Sequence, residues 1–326
     1  VIIEGNNVTQ PSIILRELTF SPGDTIFATK LEEELRVSKE NIQNTTLFNF
    51  VDIECLRNNN STNDVLVLIE LTERWYLWPY PYVAYADRNV NAWYEADNLE
   101  RFSYGAELKY KNFLGLKHNL NATLIAGYNQ NYALSYDIPY LTKKQRFGLE
   151  FGIGYKRDKE VAYKTENNRV LYFNGDDEFA RQSAFVFLEP YCRFGHRNRL
   201  FVNISYNNTL YHDTLCFLNA DFANEDGSRF QYIAVNVTFK NDHRDEQNYP
   251  LNGHYFEVLL EKDGFGLLET SPDLFFGKIT ADWYQPIKGR WYWASNVTMK
   301  MSDNDDVPYF FGQGLGYKND YVRTYE

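Results

Sequence analysis

The side chains best suited to chemistry are scattered along this chain. Its five histidines, His118, His196, His212, His243 and His254, stand at unrelated spacings. None belongs to a His-Glu-x-x-His metal helix, and no Gly-x-Ser-x-Gly nucleophile elbow occurs. Asp242-His243-Arg244-Asp245 reads as a charged turn rather than a metal site. Asp303-Asn304-Asp305-Asp306 has oxygen donors for a weak Ca²⁺ site, but reads as a solvated acidic loop. Gly312-Gln313-Gly314-Leu315-Gly316 follows no buried strand and opens no helix, so it lacks the setting of a phosphate loop. Glu107, Glu150 and Asp282 fall on the polar faces of strands and read as the wall of a wet interior, not as a catalytic pair. The expectation is a protein that is no enzyme and uses neither metal nor cofactor.

The elements that carry these residues are strands. From Phe230 to Glu261 the chain reads as two long strands around a polar turn. Gln231, Ile233, Val235, Val237 and Phe239 alternate with Tyr232, Ala234, Asn236, Thr238 and Lys240. Successive strand side chains point to opposite faces, so one face is apolar and the other polar. The same pattern recurs from Tyr82 to Met301, most clearly where Phe147, Leu149, Phe151, Ile153 and Tyr155 alternate with Gly148, Glu150, Gly152, Gly154 and Lys156. Eleven such strands are predicted, the first over Tyr82–Trp93. Strands of a soluble sandwich average five or six residues. Runs of about ten suit tilted membrane-crossing strands, and Gly, Lys and Glu on the polar face suit a water-filled lumen.

Composition agrees. With 33 basic and 44 acidic residues the net charge is −11, which gives no electrostatic footprint for nucleic acid. The mean hydropathy is −0.51 and no run of eighteen apolar residues exists, so transmembrane helices are excluded. A strand barrel passes that test because half of each strand is polar. Aromatics reach 17%, with 26 Tyr, 24 Phe and 6 Trp, and interfacial girdles account for so many economically. Cys55, Cys192 and Cys216 form no disulfide or zinc pattern and read as free.

Residues 1–75 have a different texture. A short strand ends at Gly5-Asn6, and Thr9 is placed to cap a helix with Pro11 in its first turn. Pro22-Gly23-Asp24 breaks that helix, Phe27, Leu31 and Leu35 continue at helical spacing, and Ser38 is placed to cap one more turn. Phe50–Arg57 and Val65–Leu71 read as two strands. The order is β-α-α-β-β. Glu73–Pro81, with two prolines and Trp75, Tyr76, Trp78 and Tyr80, reads as a rigid joint at membrane level.

These features together resemble the Omp85 superfamily, specifically its BamA-like outer-membrane assembly factors. Residues 1–75 look like a POTRA domain in their element order, Gly5-Asn6, Ile13–Leu18, Gly23-Asp24 and Leu47-Phe48. Residues 76–326 are similar to the N-terminal part of the family's sixteen-stranded barrel, ending in extracellular loop six. Three places carry this: Ala86-Asp87-Arg88-Asn89 in the first strand, Asp245–Gly253 before the ninth, and Gly312–Glu326. Val322-Arg323-Thr324-Tyr325 matches the family's Val-Arg-Gly-Phe/Tyr, with Thr324 in place of the Gly that enters positive φ freely.

The resemblance implies a mainly β fold, an incomplete antiparallel barrel after a small α+β domain. Arg323 would be held by lumen carboxylates, for which Glu107, Glu150 and Asp282 are candidates. The first strand, with Tyr82, Tyr85, Asp87, Arg88, Asn89 and Trp93, would be the lateral seam on which substrate strands are templated. Implied partners are outer-membrane lipid and lipopolysaccharide, nascent β-barrel substrates and periplasmic or lipoprotein accessory subunits, with no nucleic acid. Barrel strands beyond this chain, about five, would complete the cylinder, because open edges in hydrocarbon leave polar backbone unsatisfied. The implied place is the Gram-negative outer membrane with the POTRA domain in the periplasm; organelle outer membranes hold relatives. A secretion pore of the two-partner type and a barrel subunit without insertase activity are the alternatives.

Overall fold

The computed structural model describes residues 1–57, 65–86, 101–142, 146–167, 169–175, 177–195, 197–222, 228–245, 249–268, 271–303 and 308–311. The chain forms two compact units. The first comprises Val1–Tyr80, Leu108–Asn121 and Tyr136–Ile138; the second comprises Pro81–Glu107, Ala122–Ser135 and Pro139–Glu326.

Unit one opens with β1 (Ile2–Glu4), α1 (Pro11–Leu15), α2 (Ala28–Asn44), β2 (Phe48–Arg57) and β3 (Val65–Glu73). The β-α-α-β-β order is as expected. The sheet order is β1-β3-β2, with β1 parallel and β2 antiparallel to the central strand. On β3, Val67, Ile69 and Leu71 alternate inward, and the helices lay Ile13, Ile14 and Ile42 onto them. Two expected caps are absent. Gln10 is the N-cap of α1, and Thr9 is instead buried. Ser38 lies inside an unbroken α2, fully buried, where its Oγ accepts the Thr19 N–H at 3.0 Å. Leu31, Leu35, Ser38 and Ile42 share one face of α2, so the helix continues through the serine.

The second architecture is a single antiparallel sheet. Its strands are β4 (Leu77–Tyr85), β5 (Phe102–Phe113), β6 (His118–Gly127), β7 (Gln130–Ile138), β8 (Phe147–Asp158), β11 (Arg181–Phe194), β12 (Asn198–Tyr211), β13 (Arg229–Asp242), β14 (Gly253–Asp263), β15 (Leu274–Lys288) and β16 (Trp291–Ser302). They pair in the order β16-β15-β14-β13-β12-β11-β8-β7-β6-β5-β4, eleven strands, as expected from the alternation. Among the described residues this sheet is not closed. The hairpin β9 (Glu160–Glu166) with β10 (Arg169–Asn174), and the short helix α3 (Thr214–Leu218), lie outside it and were not expected. We call the end where β4 begins proximal and the other end distal.

The faces separate as the pattern requires. Ile153, Ile204, Leu260, Ile279, Val297 and Met299 are exposed on the apolar face. Opposite, Lys240 meets Glu257 at 3.1 Å, Asn203 donates to Glu189 at 2.9 Å and Asn236 to Glu261 at 3.3 Å. The glycines of β8 have a cause beyond a wet lumen. Gly148, Gly152 and Gly154 stand across from Tyr191, Phe187 and Phe185 of β11, and a Cβ at any of the three would strike the facing ring. Strand β11 is apolar on both sides, with aromatics on the inner side and exposed Val186 and Leu188 on the outer.

At the distal end a second core gathers Tyr211, Leu215, Phe222 and Phe230, with Val161, Tyr163, Phe173, Tyr309 and Phe310 against it. It gives the unexpected hairpin and α3 their apolar contacts.

Gly5 tests the first unit. Its φ is +87° and a Cβ there would collide with the Leu71 carbonyl. We expect Gly5→Ala to destabilise the domain by about 1–3 kcal/mol through strain alone. Faster amide hydrogen exchange at Ile69 and Leu71 is the measurement.

Candidate functional site

The described sheet has two edge strands, β4 and β16. In β4 the pairing parity is fixed at both ends. The Lys111 N–H donates to the Tyr76 carbonyl at 2.8 Å, and the Ala86 N–H donates to the Arg101 carbonyl at 3.2 Å. Even-numbered residues of β4 therefore turn their backbone groups to β5, and Leu77, Pro79, Pro81, Val83 and Tyr85 turn theirs to the open side. Pro79 and Pro81 have no N–H to offer there. The prolines that suggested a joint over Glu73–Pro81 thus lie within the strand, at the edge positions where proline costs no ladder bond. The connection out of β3 is only Arg74–Tyr76. The expected first strand Tyr82–Trp93 begins five residues earlier, at Leu77.

Tyr82 and Tyr85 of the predicted seam lie on this edge strand, and the Tyr85 ring packs on Phe102 at 4.9 Å. Asp87, Arg88, Asn89 and Trp93 lie outside the described residues, as do Val322, Arg323, Thr324 and Tyr325. The three carboxylates are on the inner face but the strand order does not bring them together, because they sit on β5, β8 and β15. Glu150 stands directly across from Glu189, and Asp282 accepts from Asn296 at 2.5 Å. Sequence reasoning missed Glu189, which register places across from Glu150; Glu257 and Glu261 lie on the same wall, as the alternation along their strand implies.

Unit one contains a buried hydrogen-bond chain. Glu73 accepts the N–H groups of Val8 at 3.0 Å and Thr9 at 2.6 Å. Asn112 donates to Thr9 Oγ1 at 2.8 Å, Thr9 Oγ1 lies 3.1 Å from the Tyr76 hydroxyl, and that hydroxyl donates to the Leu47 carbonyl at 3.0 Å. The turn after β5 is held in place by Lys117 N–H to Asn112 Oδ1 at 2.8 Å, and by Gln10 N–H to the Gly115 carbonyl at 3.0 Å. No sequence periodicity signals these contacts, since they join residues a hundred positions apart.

Residues 1–74 match the POTRA family model, described as surface antigen variable number repeat. Among solved structures the chain is similar to BamA from Haemophilus ducreyi lacking POTRA domains 1–3, at 17% identity and a TM-score of 0.59, covering 96% of this chain and 57% of that one. A POTRA domain leading into this sheet order decides the architecture. The fold is the one seen in that BamA structure. The chain is also similar to CdiB from Acinetobacter baumannii, at 11% identity and a TM-score of 0.50, covering 94% of this chain and 53% of that one. CdiB from Escherichia coli gives 11% and 0.50, covering 93% and 53%. The chain thus spans a little over half the length of these structures. No curated protein matches it by sequence.

Burial raises the Tyr76 phenol above its ordinary value, outweighing the Thr9 hydrogen bond that lowers it. A raised folded-state value means stability is intact below the ordinary phenol range and is lost as pH climbs through it. Tyr76→Phe is expected to cost about 1 kcal/mol at neutral pH and to reduce the alkaline decline. Urea unfolding at neutral pH and at about pH 11 checks both.

Proposed function

We propose that this chain is a BamA-like outer-membrane assembly factor, which lends the open edge of β4 to incoming β-strands. The observation that carries the reading is the edge itself. Val83 turns both backbone groups to the open side, Pro79 and Pro81 turn carbonyls alone, and the Leu77 carbonyl already accepts from the Trp75 indole N–H. Pairing there is main-chain pairing, tolerant of sequence, and two missing donors keep it weak enough to release.

The mechanism is physical and makes no covalent bond. A strand entering hydrocarbon must have its N–H and C=O groups satisfied, each at a cost of several kcal/mol otherwise. Templating on β4 satisfies them as the strand enters. Before that, the edge of β2, where Phe50 is exposed, suits capture of an extended segment by strand addition. The apolar outer face and the exposed tryptophans at the proximal end, Trp78, Trp283, Trp291 and Trp293, support a place in a membrane. The Gram-negative outer membrane is the compartment we propose, with the POTRA domain in the periplasm. Outer-membrane lipid, nascent barrel proteins and periplasmic or lipoprotein accessory subunits are the proposed partners.

The CdiB likeness supports a second reading, a secretion pore whose substrate runs along the polar inner wall. A photoreactive residue separates the two. Placed at Val83 it is expected to capture unfolded barrel substrate; placed at Glu257 on the inner wall it is not. The reverse pattern would favour the pore. Pro79→Ala with Pro81→Ala restores two edge donors, so we expect longer-lived Val83 crosslinks and assembly slowed by roughly thirtyfold, at about 1 kcal/mol for each of two added bonds.

A further inference from the structure

At the proximal end, three strands place a stack of flat rings on the outer face. His243 follows β13 directly, His254 is the second residue of β14, and Trp283 stands across from His254 on β15. The His243 and His254 rings lie 4.7 Å apart at 9°, and the His254 and Trp283 rings 5.7 Å apart at 16°. Their face follows from parity. His254 shares a face with Phe256, Val258 and Leu260, and Trp283 with Ile279 and Ala281, which is the apolar side. Arg197, in the turn between β11 and β12, reaches the same stack, and its Nη1 lies 2.9 Å from His243 Nδ1. Guanidinium only donates, so Nδ1 is the acceptor and the His243 proton sits on Nε2.

This is an unusual object for a face that otherwise meets hydrocarbon. An exposed guanidinium and two imidazoles stand at the level of Trp283, Trp291 and Trp293, whose amphipathic rings belong at lipid headgroups. One guanidinium hydrogen bond is made to the imidazole; the rest of the planar fork has no partner among the described residues. A fork of that kind matches phosphate oxygens two at a time, and an adjoining imidazole N–H adds a third donor. The imidazole bond fixes the guanidinium in advance, so less side-chain freedom is lost when an anion arrives. The chain as a whole carries −11, so attraction of an anion here is local rather than a product of net charge.

We propose that Arg197, His243 and His254, backed by Trp283, form a binding site for the phosphate of an anionic phospholipid in the proximal leaflet. It rests on the membrane reading above, since it needs the outer face to meet lipid. It adds a fixed lipid contact on β12–β15, away from the β4 edge.

The test uses the protein reconstituted in phosphatidylcholine vesicles, with spin-labelled phosphatidylglycerol or spin-labelled phosphatidylcholine as the probe. Electron spin resonance measures the fraction of each held at the protein surface. The wild type is expected to prefer phosphatidylglycerol by about fivefold at this site, the effect of one well-placed cation near the surface. Arg197→Gln and His243→Gln should each remove most of that preference. Arg290→Gln takes a cation from the proximal β15–β16 turn, which has no ring stack, and should leave the preference unchanged.

Equal losses in Arg290→Gln and Arg197→Gln would overturn the site in favour of diffuse surface charge. No preference in an inserted wild type would overturn it too. Saturable binding of inorganic phosphate to detergent-solubilised wild type, without lipid preference in vesicles, would reassign the site to a free anion. Failure to insert in vesicles would overturn the membrane reading and the site together.

Discussion

The architecture of this chain depends on where backbone hydrogen bonds go. Inside a bilayer no water completes an unpaired N–H or C=O, so strands must be paired along their length. The long sheet does this with registers that run almost without interruption from β8 to β16, and the described shift is a bulge near Pro286. In the function we propose, the edge is then the active place. At β4 the sheet ends in a strand whose open side lacks the donors of Pro79 and Pro81, and whose Leu77 carbonyl is taken by the Trp75 indole. In the function we propose, the edge lowers a barrier without bond-making by supplying those groups at the moment a second chain needs them.

The two faces divide the remaining work. Outward side chains are apolar and exposed, as the proposed lipid contact requires. The inner face is a polar ladder in which acids meet amides or lysine, as with Glu189 and Asn203 or Glu257 and Lys240. It is also partly aromatic, where β11 rings lie over β8 glycines. Glycine there lets large rings cross a neighbouring strand without separating the ladder. At the distal end Phe310 packs on Tyr211, Phe222 and Phe230 within 4.7–5.7 Å, which ties the segment after β16 to the β12–β13 connection.

Much of this was legible in the sequence. Period-two alternation identified eleven strands, because the two faces of the sheet carry opposite kinds of side chain at alternate residues. Helical spacing and turn residues identified the POTRA order. Failures have physical causes. Pro79 and Pro81 read as breakers, since a sequence does not say that a strand is an edge. Ser38 and Thr9 read as caps, yet both are buried and bonded to distant partners. The hairpin β9–β10 and α3 depend on aromatic contacts made across the distal end, which no local pattern encodes. Of the candidate site, Tyr82 and Tyr85 fall on the edge strand, whereas Glu107, Glu150 and Asp282 share a face without sharing a site.

The central claim is that one face of this sheet meets hydrocarbon and the other meets water. Spin labels at successive positions of β14 and β15 in a reconstituted bilayer test it directly. Val258, Leu260 and Ile279 are expected to be reached by dissolved oxygen, and Glu257, Leu259 and Thr280 by a water-soluble nickel chelate, with a period of two. A chelate reaching both sets equally, or neither set showing the period, would contradict the account.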